Sequence, residues 1–135
     1  MHVREFASAE TELRPMSRWL REVCTSIGAA PAVVDNAELC ANEVFANLCA
    51  HAFPAGGHHC ITVSVAAAPG GVQLTIEDDG IAFDPTTAAL PSPPQALDSA
   101  RSGGYGLILL RSLAQDMRYE RSGNRNRLTL VFVAV

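Results

Sequence analysis

The segment Val72-Gln73-Leu74-Thr75-Ile76-Glu77-Asp78 alternates apolar and polar side chains almost one for one. A period of two marks a strand with one buried face, because successive side chains on an extended chain point to opposite sides. The parity of Val72, Leu74 and Ile76 carries through to Asp78. Its carboxylate is therefore expected on the apolar side, while Glu77 points outward and Asp79 enters the turn at Gly80. A carboxylate on a buried face is costly unless it is hydrogen-bonded or paired. The strand thus constrains both the fold and the place where chemistry can sit.

The other elements follow from the same arithmetic. Residues 60–67 alternate with Ile61, Val63 and Val65 on one face, and Pro69-Gly70-Gly71 reads as the turn joining them to 72–78. Residues 2–7 read as an edge strand. A helix is predicted over roughly 11–27, with Thr11 or Ser8 as N-cap, Pro15 in its first turn and Gly28 beyond its end. Its Leu13, Met16, Leu20, Val23 and Ile27 form one stripe. Pro31 opens a second helix, about 31–53, stopped by Pro54 and Gly56-Gly57. A third, about 104–115, carries Leu107, Leu110 and Leu113, and a final hairpin pairs 117–122 with 127–134 across Gly123-Asn124. After Gly80 periodicity is lost until about residue 103, through the Pro-rich TTAALPSPPQALDSARS. Long loops inside compact domains are often lids or binding loops. The order implies a single α+β domain, 1–135: a two-layer α/β sandwich with a mixed, mostly antiparallel sheet and helices on one face.

Composition narrows the function. The 135 residues include ten Lys+Arg, all of them arginine, against fourteen Asp+Glu, a net charge of −4. The lack of lysine excludes a P-loop lysine, a Schiff-base lysine and the strand lysine of protein kinases. The acidic balance argues against direct nucleic-acid binding. The opening MHVREFASAE lacks a signal-peptide apolar core and no apolar run suits a membrane span, so a cytoplasmic protein with reduced thiols is expected. Cys49, His51, His58, His59 and Cys60 could be drawn as a metal cluster. Core cysteines beside a polar turn are the favoured reading, since free cysteine packs as a small hydrophobe.

Two more features mark candidate chemistry. On the second helix Glu43, Asn47 and His51 are spaced i, i+4, i+8, within about 80° of one another on the helical wheel. That stripe reads either as the solvated face or as one wall of a site. Ser102-Gly103-Gly104-Tyr105-Gly106 immediately precedes the third helix. Its glycines allow close backbone approach, and a helix N-terminus offers free N–H groups to an anion. Acceptors such as Asp78 at the mouth of an apolar pocket suit an exocyclic amine like that of adenine.

Taken together, these boxes resemble the ATP-binding fold of the GHKL superfamily, and most closely the small bacterial anti-sigma-factor serine/threonine kinases. ELCANEVFANLCAHAF is similar to the family's N-box, with Glu43, Asn47 and His51-Ala52. EDDGIAFDP is similar to its aspartate box, carried by Asp78, Gly80 and Phe83, with Ala82 where the second glycine is expected. GGYGLILLRSLA resembles the second glycine box at Gly103, Gly104 and Gly106, and RLTLVF resembles the closing strand, with Thr129 near adenine.

The resemblance implies ATP and Mg²⁺ as cofactors. Asn47 would ligate the metal, and Asp78 would accept from the adenine amine directly and through water shared with Thr129. Gly80 and Ala82 would lie close to the base. Gly103, Gly104, Tyr105 and Gly106 would belong to a lid over 85–106, with Arg101 a further counter-charge for the triphosphate. Glu43 would be the general base, and His51 would either touch nucleotide or only cap and pack. The implied function is phosphorylation of a STAS-type antagonist in a partner-switching circuit, with a sigma factor as a possible second partner and no membrane partner. Two alternatives stand beside it: an adaptor or anti-sigma factor acting by stoichiometric binding, and the catalytic domain of a histidine kinase. The latter is disfavoured because no phospho-accepting helical hairpin precedes the boxes. The last strand is apolar on both faces, through Leu128, Leu130 and Phe132 and through Val131, Val133 and Val135; with the resemblance to dimeric relatives this favours a homodimer.

Overall fold

The computed structural model describes residues 1–86 and 104–135. Five strands form one sheet: β1 (His2–Ala7), β2 (Cys60–Ala68), β3 (Gly71–Asp78), β4 (Asp116–Ser122) and β5 (Arg125–Val133), in the order β1-β2-β3-β5-β4. Every pairing is antiparallel, so the sheet expected to be mixed is uniform. Among the described residues three helices accompany it: α1 (Leu13–Ile27), α2 (Pro31–Asn47) and α3 (Gly104–Leu113). A 3-10 turn, Glu10–Glu12, precedes α1, and α2 runs on into a π-helical turn, Leu48–Ala52.

Local chemistry explains where these elements stop. α1 ends in a Schellman arrangement: Gly28 takes φ 93° while Ala29 N–H donates to Cys24 O at 3.1 Å and Gly28 N–H to Thr25 O at 3.0 Å. Pro31 occupies the first turn of α2, where its missing N–H is no loss. The β2–β3 turn is Pro69-Gly70, with Gly70 at φ 78°, a backbone conformation that glycine supplies without strain.

The sheet's parity builds the core. Ile61, Val63 and Val65 of β2, Val72, Leu74 and Ile76 of β3, and Leu128, Leu130 and Phe132 of β5 all join one buried cluster. The helices supply the other half, through Met16, Leu20 and Val23 of α1, Val33, Val34, Ala37 and Phe45 of α2, and Leu110 of α3. Phe6 of β1 packs edge-on against both Trp19 and Phe45. On the surface, Arg21 of α1 pairs with Asp35 and Glu38 of α2; such exposed pairs add little stability. The opposite sheet face carries Gln73, Thr75, Arg127 and Thr129. Among the described residues no helix is long and apolar enough to cross a membrane.

Two core thiols are held in their neutral form. Burial pushes Cys24 up from 9.0 to about 11, and burial together with the charge of Glu43 pushes Cys40 to about 12. Folding therefore favours the protonated thiol. That contribution is complete below the ordinary thiol value of 9.0 and is lost as pH rises through about 11 and 12. The urea midpoint is expected to fall as pH rises above that ordinary value. Iodoacetamide at neutral pH should label exposed Cys60 while Cys24 and Cys40 react only on unfolding, as peptide mapping will read.

Candidate functional site

α2 and the sheet enclose a cavity of about 320 Å³. One wall is the face of α2 and its π-turn, with Glu43, Val44, Asn47, Leu48 and His51. The floor is the sheet, with Ile76 and Asp78 of β3, Asn126 and Leu128 of β5, and Tyr119 of β4. The turn after β3 contributes Ile81, Ala82, Phe83 and Pro85, and α3 contributes Gly106, Leu107 and Leu110. Arg111 of α3 donates to Pro85 O at 2.8 Å, tying that turn to the helix.

Asp78 is the most deeply buried polar side chain lining the cavity. It is 3% exposed, on the helix-covered face its parity requires. Its Oδ1 accepts from Gly80 N–H at 2.8 Å and from Asn126 Nδ2 at 3.0 Å. Neither donor is charged, and Oδ2 makes no hydrogen bond within the described residues. Its sequence neighbours differ: Glu77 pairs with Arg127 on the outer face, and Asp79 pairs with His59 at 3.0 Å. His59 also reaches Gly56 O at 3.0 Å and stacks on Phe53, so it clasps the loop before β2 to the end of β3.

Gly80 is required by close approach. A Cβ there would lie 2.6 Å from both Ala52 Cβ and Ala52 O, and 2.9 Å from Asp78 Oδ1. This contact is where the π-turn meets the sheet, for Ile81 N–H donates to Ala52 O at 2.9 Å. Such turns widen a helix locally and are common at functional sites. Here the widened turn carries His51, whose exposed side chain lines the cavity. Across the cavity, a Cβ on Gly106 would sit 3.3 Å from Glu43 Oε2, so α3 presses on the Glu43 carboxylate. Glu43 makes no hydrogen bond or ion pair within the described residues.

Glu43, Asn47, His51, Asp78, Ala82 and Gly106 therefore converge on one cavity, with Gly80 beneath its rim. Ala82 adopts no left-handed backbone, since no described non-glycine residue has a positive φ, so the turn does not demand a second glycine. Gly104 and Tyr105 begin α3. Gly103, Arg101 and most of the 85–106 segment lie outside the described residues. Thr129 requires a correction. It pairs with Thr75 and, with it, faces the opposite side of the sheet. The β5 residues facing the cavity are Asn126 and Leu128, three and one positions earlier. Asn126 and Tyr119 were not among the expected site residues. The parity of Leu128, Leu130 and Phe132, extended back by two, points to Asn126.

The donor set suits a purine nucleotide with a hard cation. Val44, Leu48, Ile76, Leu107, Leu110 and Leu128 offer apolar walls for a flat ring. Asp78 Oδ2 is an acceptor at their edge, and Glu43 and Asn47 supply oxygens one helical turn apart. Among the described residues no three His, Cys, Asp or Glu side chains converge as a metal site of their own.

An antiparallel sheet under the described helices, with an acceptor-lined cavity between the layers, is an α+β architecture with room for a nucleotide. Residues 6–132 match the family of the histidine kinase-like ATPase domain, and the chain belongs to that family. Over 92 residues it is 39% identical to the serine/threonine-protein kinase BtrW of Bordetella bronchiseptica, a match covering 68% of this chain and 65% of the relative, so just under two thirds of the relative's length is spanned. The fold is similar to the histidine kinase domain of the blue-light activated histidine kinase EL346 of Erythrobacter litoralis. The TM-score is 0.51 at 19% identity, covering 73% of this chain and 43% of that one. The GHKL resemblance read from the boxes is thereby borne out.

Substituting Gly80 by alanine tests the junction. The contacts are with backbone and a short side chain, which cannot swing away, so a loss of about 1–3 kcal/mol is expected. Hydrogen exchange at the Ile81 amide should accelerate. Unchanged stability and protection would show that the π-turn does not rest on Gly80.

Proposed function

We propose that this chain is an ATP- and Mg²⁺-dependent serine/threonine kinase of the anti-sigma type. The observation that carries the reading is the placement of Glu43 and Asn47, one turn apart on α2, across a shared cavity from a buried Asp78 whose hydrogen bonds among the described residues all fall on one oxygen. Membership of the histidine kinase-like ATPase family and 39% identity to a protein named a serine/threonine kinase support it.

Bound Mg²⁺-ATP supplies the transferable phosphoryl group and the charge that offsets it. The chain's residues then have separate tasks. Asp78 Oδ2 accepts from the exocyclic amine of the base, while Gly80 N–H and Asn126 hold its other oxygen. Asn47 offers its amide oxygen to the metal, the hard donor Mg²⁺ prefers. Glu43 would take the proton of the incoming hydroxyl as that oxygen bonds to the γ-phosphorus and the bond to the departing ADP breaks. Positioning and charge neutralisation carry most of the catalysis in such transfers. The acceptor protein in this reading is a STAS-type antagonist. Its phosphorylation weakens the complex through about −1.5 to −2 added charges, freeing the kinase for a sigma factor. Ala82, which stands where the resemblance places a second glycine, keeps an ordinary backbone, so the turn itself does not oppose nucleotide binding.

Calorimetry with ATP, with and without Mg²⁺, tests the site. Asp78→Asn can keep the Oδ1 contacts but turns an N–H₂ donor toward the amine, so affinity should fall more than about tenfold with the fold intact. Glu43→Ala should bind ATP yet lose about 10²–10⁴ in phosphotransfer. Undiminished transfer would remove Glu43 as base, and a wild type that binds no nucleotide would remove the kinase reading.

The same proposal includes a homodimer through the outer sheet face. Val131 and Val133 are half-buried there, and no described element covers them. Light scattering should give twice the 14.3 kDa chain mass, and Val131→Arg should halve it. A monomeric wild type at working concentration would contradict this.

A further inference from the structure

We infer that Asn126 is the positioning residue that aims Asp78, and so sets the selectivity of the cavity for a 6-aminopurine over a 6-oxopurine. The inference rests on the nucleotide-binding reading above. Asn126 is 6% exposed, directly across from Asp78 in the β3–β5 register. Its Nδ2 meets three acceptors: Asp78 Oδ1 at 3.0 Å, Ile81 O at 2.9 Å and Gly80 O at 3.3 Å. Its Oδ1 meets two donors, the Tyr119 hydroxyl and Arg121 Nη1, the latter at 3.1 Å.

This arrangement admits one orientation of the amide. Arginine has no acceptor, so Oδ1 must face Arg121. The reverse orientation would set an oxygen against three acceptors. Arg121 reinforces the frame by donating to Gly80 O at 2.7 Å. The consequence falls on Asp78. With Oδ1 occupied by Asn126 and Gly80 N–H, the carboxylate cannot rotate without breaking both bonds, and Oδ2 is the oxygen presented to the cavity. An acceptor fixed there pairs with the amine at C6 of adenine and repels the carbonyl at C6 of hypoxanthine. A site built to accept from a donor rejects an analogue that lacks it. The expected selectivity thus depends on a residue that need not touch the base.

The measurement is the ratio of ITP to ATP dissociation constants by calorimetry, for wild type, Asn126→Leu and Asn126→Asp. Wild type should favour ATP by about tenfold or more, the worth of one hydrogen bond to a charged acceptor. Asn126→Leu should bring the ratio close to one, mainly by weakening ATP. Asn126→Asp keeps the size and the acceptor for Tyr119 and Arg121. It sets two carboxylates together, which share a proton on the acid side and repel when both ionise. Its ratio should therefore be low at alkaline pH and recover on acidification, a reversal that general loosening of the fold does not produce. If Asn126→Leu does not fold, the pH dependence of Asn126→Asp decides alone. A ratio in either folded variant that matches wild type at every pH overturns the positioning role. Wild type binding neither nucleotide is a different failure, that of the nucleotide site itself.

Discussion

The buried carboxylate of Asp78 is the constraint around which the site is arranged. It lies at the end of a central strand, 3% exposed, and its two hydrogen-bond donors among the described residues are neutral. An ionised group in that position must be met by hydrogen bonds, and the two it finds come from Gly80 N–H and Asn126. Each has consequences beyond the bond. The turn that aims Gly80 N–H back at Asp78 also brings Gly80 against Ala52, leaving no room for a Cβ. The amide of Asn126 draws in Tyr119 and Arg121, which fasten the β4–β5 hairpin to the same turn.

These contacts register α2 to the sheet. Phe45 and Ala41 on its inner face lock the helix onto the core, but packing alone does not say how far it reaches along β3. The π-turn settles that, because Ala52 O accepts from Ile81 N–H just past the aspartate. Asn47 and His51 are thereby held over the mouth of the cavity, and Glu43 one turn deeper meets α3 at Gly106. Core packing and site geometry are joined through one short backbone contact.

Much of this was legible in the sequence because the relevant signals are local. Strict alternation located β3 and the inward aspartate. The three-and-four spacing located α1, and Gly28 and Pro31 punctuated the helices where they do in the fold. What escaped depends on partners distant in the chain. The switch from α to π at Leu48 follows from docking against residues 80–81, which no helical pattern reveals. β5 begins at Arg125 rather than 127, so Asn126 fell in the expected turn. Family likeness places Thr129 on the adenine side, against the parity of Leu128 and Leu130. Where resemblance and parity disagreed, parity followed the backbone.

The charge around the cavity sharpens the meaning of the missing lysine. Of the acidic residues near the end of β3, Glu77 and Asp79 are paired, with Arg127 and His59 respectively. Glu43 and Asp78 line the cavity and have no cationic partner among the described residues, and no described lining residue is an arginine. Two carboxylates lining a largely apolar cavity make its interior negative, and like charges interact far more strongly there than in water. A triphosphate would meet repulsion unless a cation came with it. In the reading proposed here, Mg²⁺ would therefore be part of what allows the nucleotide to bind at all, and Asn47, a neutral oxygen donor one helical turn from Glu43, could hold that cation without adding a third negative charge.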